Sequence, residues 1–295
     1  MPRVNLETLL AAGSHFGHLT RRWNPKMKEF IFMERSGIHI IDLKKSQVKI
    51  DAAFDAIKKV VEDGEEVLFV GTKKQAKEII KGEARRCGQF FITDRWLGGT
   101  LTNFGTIKKS IKHMKNLDKM SSDGTYEKIT KKEILHIERE KEKMKKVLSG
   151  IEEMKRLPGV IFIVDTKKEQ IAVQEARKLN IPIVAIVDTN SDPTIIDYPI
   201  PANDDAAKSI SIISRIIADA VVEGSQKLKK QQAEQDAITE AEKAAEIVEK
   251  QESKKPAEKT KKEAGTRSSA KETSQKTEKE DKKAKKEETA ETENE

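Results

Sequence analysis

The chain has 295 residues, 36% of them hydrophobic and 36% charged, and 57 Lys and Arg against 50 Asp and Glu leave a net charge of +7. A single cysteine, Cys87, excludes an internal disulfide, and no apolar run is long enough to cross a bilayer. Residues 225–295 contain 18 basic and 18 acidic residues and no aromatic one, so the whole positive excess sits on residues 1–224. A body of that length can bury one core, and its charge points to a polyanionic partner. The N-terminus carries no signal-peptide core, which with the lone thiol predicts a cytoplasmic protein without a membrane partner.

Asn5 before LETLLAAG predicts a short helix capped at Asn5 and stopped at Gly13. An opening loop, HFGHLTRRWNPKM, follows. FIFMERSGIHIIDL then reads as a hairpin turning at Ser36-Gly37. Ser46 is placed to cap a helix with Val48, Ala52, Ala56, Ile57, Val60 and Val61 at helical spacing.

From there the chain alternates. EEVLFVGT, QFFIT, PGVIFIVDT, IPIVAIVDT and YPIPAN are short apolar strands. KKQAKEIIKGEARRCG, KKEQIAVQEARKLN and DDAAKSISIISRIIADAVVEG are helices between and after them. Continuous rather than alternating apolar runs mean strands covered on both faces, and strand–helix alternation predicts a parallel, doubly wound α/β sheet. Residues 103–158 break the rhythm with two charged helices around the turn MSSDGTY. Ile134, Lys141 and Leu148, Ile137, Met144 and Ile151, and in the first helix Phe104 with Ile111 and Ile107 with Met114, recur at seven. That spacing predicts an inserted antiparallel coiled-coil hairpin. AEQDAITEAEKAAEIVEK could prolong the last helix, while the rest of the tail lacks apolar periodicity and is expected to be disordered.

Neither GxGxxG after a strand nor GxxxxGK[ST] occurs, so the dinucleotide and NTPase fingerprints are unmet, and no GxSxG elbow marks a nucleophile. Thr72-Lys73-Lys74 at a helix start is placed to hold an anion. Cys87 beside apolar QFFI reads as a buried structural thiol. No small-molecule substrate is implied and no cofactor is required. His18, Asp188 and Asp204 are the residues that would hold a structural zinc pinning the opening loop to the sheet, against the simpler reading of hydrogen-bonded histidines. Arg21, Arg22, Lys26 and Lys28 surround Trp23, and Arg95-Trp96 repeats the pairing beside Gly98-Gly99. Cations suit phosphates and an open indole suits an unpaired base, although each tryptophan could equally be core. Lys108, Lys109, Lys112 and Lys115 continue the basic surface along the first arm helix. Three basic clusters together favour structured RNA.

GSHFGHLTRRWNPKMKEFIF, GIHIIDLKKS, VLFVGTKKQA, RWLGGTLTNF, IPIVAIVDTNSDP and IPANDDA, in this order over residues 5 to about 224, resemble the bacterial small-subunit ribosomal protein S-two family. The resemblance implies a Rossmann-like or flavodoxin-like three-layer domain with a protruding hairpin and no enzymatic activity. It implies a ribosome-associated structural protein between head and body of the small subunit. Its expected partners are 16S ribosomal RNA, neighbouring ribosomal proteins and the mRNA-binding ribosomal protein S-one. By motif, the RNA-facing candidates are Arg21 to Lys28 and Arg95 to Asn103. The tail lies outside the resemblance. An RNA-independent adaptor working through the helical arm is the alternative.

Overall fold

The computed structural model describes residues 2–122 and 130–252. Residues up to Gln231 form one unit and those from Gln232 onward a second. In the first, helix α1 (Leu6–Ala11) starts at Asn5, whose side chain accepts from the Glu7 amide. Strands β1 (Phe16–Leu19), β2 (Ile31–Arg35) and β3 (Ile38–Ile41) form a small antiparallel sheet in the order β1-β3-β2. The predicted hairpin is therefore present as β2 and β3, but the opening stretch is not all loop. Phe16 to Leu19 pair with β3, and two 3-10 turns, Thr20–Arg22 and Pro25–Phe30, complete it.

Helix α2 (Leu43–Glu62) begins four residues earlier than Ser46 would place it. Asp42 follows β3 directly and accepts the Lys44 amide at 3.0 Å, so the cap forms at the first competent residue. Ser46 is instead buried in the first turn and donates to the Pro201 carbonyl at 2.6 Å, tying α2 to the sheet. The buried face is also rotated from the expected one. Ile50, Ala53, Phe54, Ile57 and Val61 point inward, and Val48 is 66% exposed. Burying the Phe54 ring decides the rotation, since one aromatic outweighs a Val and an Ala.

The main sheet contains β4 (Val67–Val70), β5 (Phe90–Ile92), β6 (Val160–Val164), β7 (Ile183–Val187) and β8 (Tyr198–Pro201), in the order β5-β4-β6-β7-β8. Every neighbouring pair is parallel. Side chains alternate between two cores with the two-residue strand period. Val67 and Phe69, Val160 and Phe162, and Val184 and Ile186 face one core with α2, α3 (Lys77–Arg86) and α7 (Ala207–Glu252). Leu68 and Val70, Ile161 and Ile163, and Ala185 and Val187 face the other with α6 (Gln170–Lys178) and the base of α4 (Phe104–Ser122). The doubly wound parallel sheet read from the apolar runs is thus the observed architecture. The chain reverses its direction of winding between β4 and β6, which makes that crevice the switch point.

Helices α4 and α5 (Lys131–Leu148) occupy the β5–β6 connection. Ile107, Ile111, Met114 and Leu117 are buried on α4, and Ile134, Ile137, Lys141, Met144, Val147 and Leu148 are the covered positions of α5. Asp118 bridges to Lys141 at 3.1 Å and to Lys145 at 2.7 Å across the pair. The predicted turn MSSDGTY runs into residues 123–129, outside the described residues. Gly150, where the chain returns, has no room for a side chain, because a Cβ would lie 2.0 Å from the Phe91 carbonyl oxygen. The last helix does continue past Gly224, to Glu252, and the charged tail from 253 lies outside the described residues.

Candidate nucleic-acid interface

The opening stretch is built onto the carboxyl end of β7. Gly17 passes so close to Thr189 that a Cβ would sit 2.6 Å from its Cγ2. The His18 amide donates to Thr189 Oγ1 at 2.9 Å, and the Asn24 amide to the Thr189 carbonyl at 2.7 Å. Met27 and Phe30 are buried anchors, and Asn24 caps the turn that leads to them.

This docking sorts the cations. Arg21, Arg22 and Lys28 are exposed and have no ion pair among the described residues. Lys26 differs, because its ammonium lies 2.6 Å from Asp192 Oδ2 and 3.1 Å from Thr194 Oγ1. Unlike its neighbours in the basic cluster, it is tied to an acid. Trp23 is half-buried, with its ring 5.1 Å from that of His39.

The second cluster divides more sharply. Arg95 is exposed, but Trp96 is 6% exposed and packs in the core with Leu101 and Ile107. The expected stacking plane is therefore turned inward. Glu175 holds it there, accepting the indole N–H at 3.1 Å and the Gly99, Leu101 and Thr102 amides at 2.7, 2.9 and 3.1 Å. Burial works against the charged form, yet these donors hold the Glu175 carboxyl below the usual carboxylate range. One carboxylate on α6 thus shapes the whole segment from Trp96 to Thr102. The third cluster lies on α4. Lys109 and Lys112 are exposed with no ion pair among the described residues, whereas Lys115 pairs with Glu152 at 3.4 Å. The Lys108 ammonium sits 4.6 Å from the Phe104 ring and donates to the Lys155 carbonyl.

Behind the opening stretch lies a cluster of acids at the strand ends. Lys73 bridges Asp165 at 2.9 Å, Asp204 at 2.7 Å and Asp205 at 2.8 Å. Its predicted role as an anion holder is corrected by this geometry, since its charge is spent on three carboxylates. Burial alone would lower its pKa, but Asp204 and the other acids raise it overall. Asp165 takes a left-handed conformation (φ 68°) that turns its side chain back to cap Lys167 and Lys168. His18 Nδ1 lies 3.0 Å from Asp188 Oδ2 and Nε2 3.4 Å from Asp205 Oδ2, and the bond to Asp188 raises the imidazole pKa.

Asp188 and Asp204 are buried, and His18, Asp188 and Asp204 bring donor atoms within 4.8 Å of one another. The Asp204 Oδ2 atom is buried without a hydrogen-bond partner among the described residues, and burial beside Asp188 and Asp165 pushes its carboxyl up to about 7. One imidazole, two carboxylates, an orphaned oxygen and a surplus of buried negative charge fit a divalent cation. Glu175 carries no motif signal, and the anion-holding reading of Thr72-Lys73-Lys74 gives no hint of the acids that meet Lys73. The strands VLFVGT, VIFIVDT and IVAIVDT end in Gly-Thr, Asp-Thr and Asp-Thr at the carboxyl edge, where parallel sheets take ligands, but nothing local pairs those ends with Lys73.

A family model described as Ribosomal protein S2 matches residues 9–224. That span includes the docked opening stretch, the whole parallel sheet and both helices of the inserted arm. Among the described residues no helix is long and apolar enough to cross a membrane. With most of its length matched, the chain belongs to the ribosomal protein S2 family, structural and non-enzymatic constituents of the small ribosomal subunit.

Proposed function

We propose that this chain is held in the small subunit between head and body by 16S ribosomal RNA and neighbouring ribosomal proteins, in the cytoplasm, and supports docking of the mRNA-binding ribosomal protein S-one. The observation that carries the RNA contact is the set of exposed cations that have no ion pair among the described residues and stand on rigid supports. Arg21, Arg22 and Lys28 project from a loop bolted to β7, Arg95 from the Glu175-shaped segment, and Lys109 and Lys112 from α4. Preset cations gain affinity because little chain entropy is lost on binding. The arm formed by α4 and α5, read as a coiled-coil hairpin, extends the reach of this surface.

An exposed apolar face supports the protein contacts. Leu10 is 55% and Phe32 70% exposed at a cavity of about 610 Å³ that Leu6, Ile40 and Leu43 also line. Such a face on a charged body suits a protein partner. The same face supports the second reading, an RNA-independent adaptor. Sedimentation of a lysate with and without ribonuclease separates the two. Co-migration with the small subunit that collapses after digestion supports assembly on RNA, and a complex that survives digestion supports the adaptor.

We also propose a structural zinc ion held by His18, Asp188 and Asp204, pinning the opening stretch to the sheet. The purified full chain then contains one equivalent of metal by elemental mass spectrometry, and Asp204→Asn loses it. A metal-free wild-type protein with unchanged melting in chelator overturns this and leaves the His18–Asp188 hydrogen bond as the pin.

A further inference from the structure

The switch point between β4 and β6 opens into a cleft of about 300 Å³, with Arg95 on its lining. Open parallel sheets take ligands in this crevice, beyond the carboxyl ends of the strands. Its volume sits at the small end of the range for ligand sites. Three kinds of side chain line it. Ile171, 53% exposed, and the covered ring of Trp96 form an apolar wall. Arg95 and Lys168 bring cations, Arg95 with no ion pair among the described residues and Lys168 on the Thr72 carbonyl at 3.1 Å. Asp94 and Glu169 bring acceptors.

Glu169 is only 4% exposed, yet both of its bonds to Thr72 fall on Oε1, leaving Oε2 without a hydrogen-bond partner among the described residues. Burial also pushes this carboxyl above the usual range. Cations for a phosphate, acceptors for amino or hydroxyl groups and an apolar wall for a ring are the three requirements of a nucleotide. The left-handed Asp165 and the Glu175 clamp hold two of the cleft's walls in place, so the site is formed before a ligand arrives.

We infer that this cleft receives one unpaired nucleotide of the RNA that the protein binds, an inference that rests on the ribosomal reading above. The base lies against Ile171 and the edge of Trp96, and its phosphate lies at Arg95 and Lys168. Duplex RNA, whose bases are stacked and paired, cannot enter a cleft of this size.

The two tryptophans make the test direct. In the full chain carrying Trp23→Phe, Trp96 is the sole indole. A single-stranded oligoribonucleotide should shift its emission saturably, and a blunt duplex of the same sequence should not. Arg95→Ala and Ile171→Asp both change exposed positions, so they should fold as the parent does, and each should weaken the oligonucleotide about tenfold. Filter binding of 16S ribosomal RNA is measured on the same proteins. Retained 16S binding with a silent Trp96, or with both variants at parental affinity for the oligonucleotide, overturns the cleft and leaves the ribosomal reading standing. Absence of 16S binding by the unmodified chain overturns both. Saturation by uridine 5′-monophosphate at the same concentration as the oligonucleotide overturns the RNA source in favour of a free nucleotide.

Discussion

Glu175 on α6 accepts the indole N–H of Trp96 at 3.1 Å, a contact between residues 79 apart that holds most of the ring in the core. The same carboxylate accepts three backbone amides, so the Trp96–Thr102 segment has no independent conformation. Its shape, and with it the direction of Arg95, is decided on another helix.

Removing that carboxylate leaves several donors unpaired. Glu175→Ala should cost about 3 kcal/mol in urea unfolding, and Glu175→Gln less, because the amide oxygen still accepts. The carboxyl is held below its ordinary 4.5 in the folded protein, so the unfolded chain binds the proton more readily. Its contribution is complete above pH 4.5 and is lost as pH falls through the lower folded value. The stability gap between wild type and Glu175→Gln should narrow in that acid range. A gap that widens there refutes the assignment.

The opening stretch should separate cations that bind from the cation that tethers. Arg21→Ala, Arg22→Ala and Lys28→Ala should each reduce the slope of log affinity against log salt by about one for ribosomal RNA, with unchanged melting. Lys26→Ala should instead lower stability by about 1 kcal/mol through loss of the Asp192 and Thr194 contacts. Slopes from filter binding at several salt concentrations, beside thermal melts, distinguish the two classes.

Gly17 and Gly150 are among the glycines needed for space rather than for turn geometry. Gly17→Ala drives a methyl into the Thr189 side chain, and Gly150→Ala into the Phe91 backbone. Each should destabilise by about 1–3 kcal/mol. Adding Thr189→Ser removes the nearer methyl and should recover part of the first loss. No side-chain change relieves the second, since its obstacle is a carbonyl. Equal recovery in both would contradict the packing.

Cys87 should be chemically silent until the protein unfolds. Burial pushes its thiol up to about 12, against the opposing pull of Arg86, so almost no thiolate is present at pH 8. Reaction with a disulfide reagent at pH 8 should follow the unfolding transition in denaturant. Rapid labelling of the native protein would show the thiol to be open.

The parallel sheet was legible because its cause is local. Continuous apolar runs such as VLFV and VIFIV can be satisfied only between two covering layers, and helical spacing supplied those layers. The start of α2 was misplaced for an equally local reason, since Asp42 and Ser46 are both good caps and the strand ending at Ile41 favours the nearer. The trio His18, Asp188 and Asp204 was also readable as a residue set, because strand ends in this fold gather on one edge.

What the sequence by itself determined is the fold class, the family and the inventory of charged and aromatic residues available to a site. Only the tertiary structure decided which of them are free. Arg21 and Lys26 stand five apart in one basic loop, yet Lys26 meets an acid 166 residues away. Trp23 and Trp96 carry the same flanking arginine, yet one is half-exposed and the other enclosed. Periodicity reports which face of an element is covered. It holds no information about the partner brought to that face by packing distant segments together, and the charge and hydrogen bonds of that partner set the chemistry.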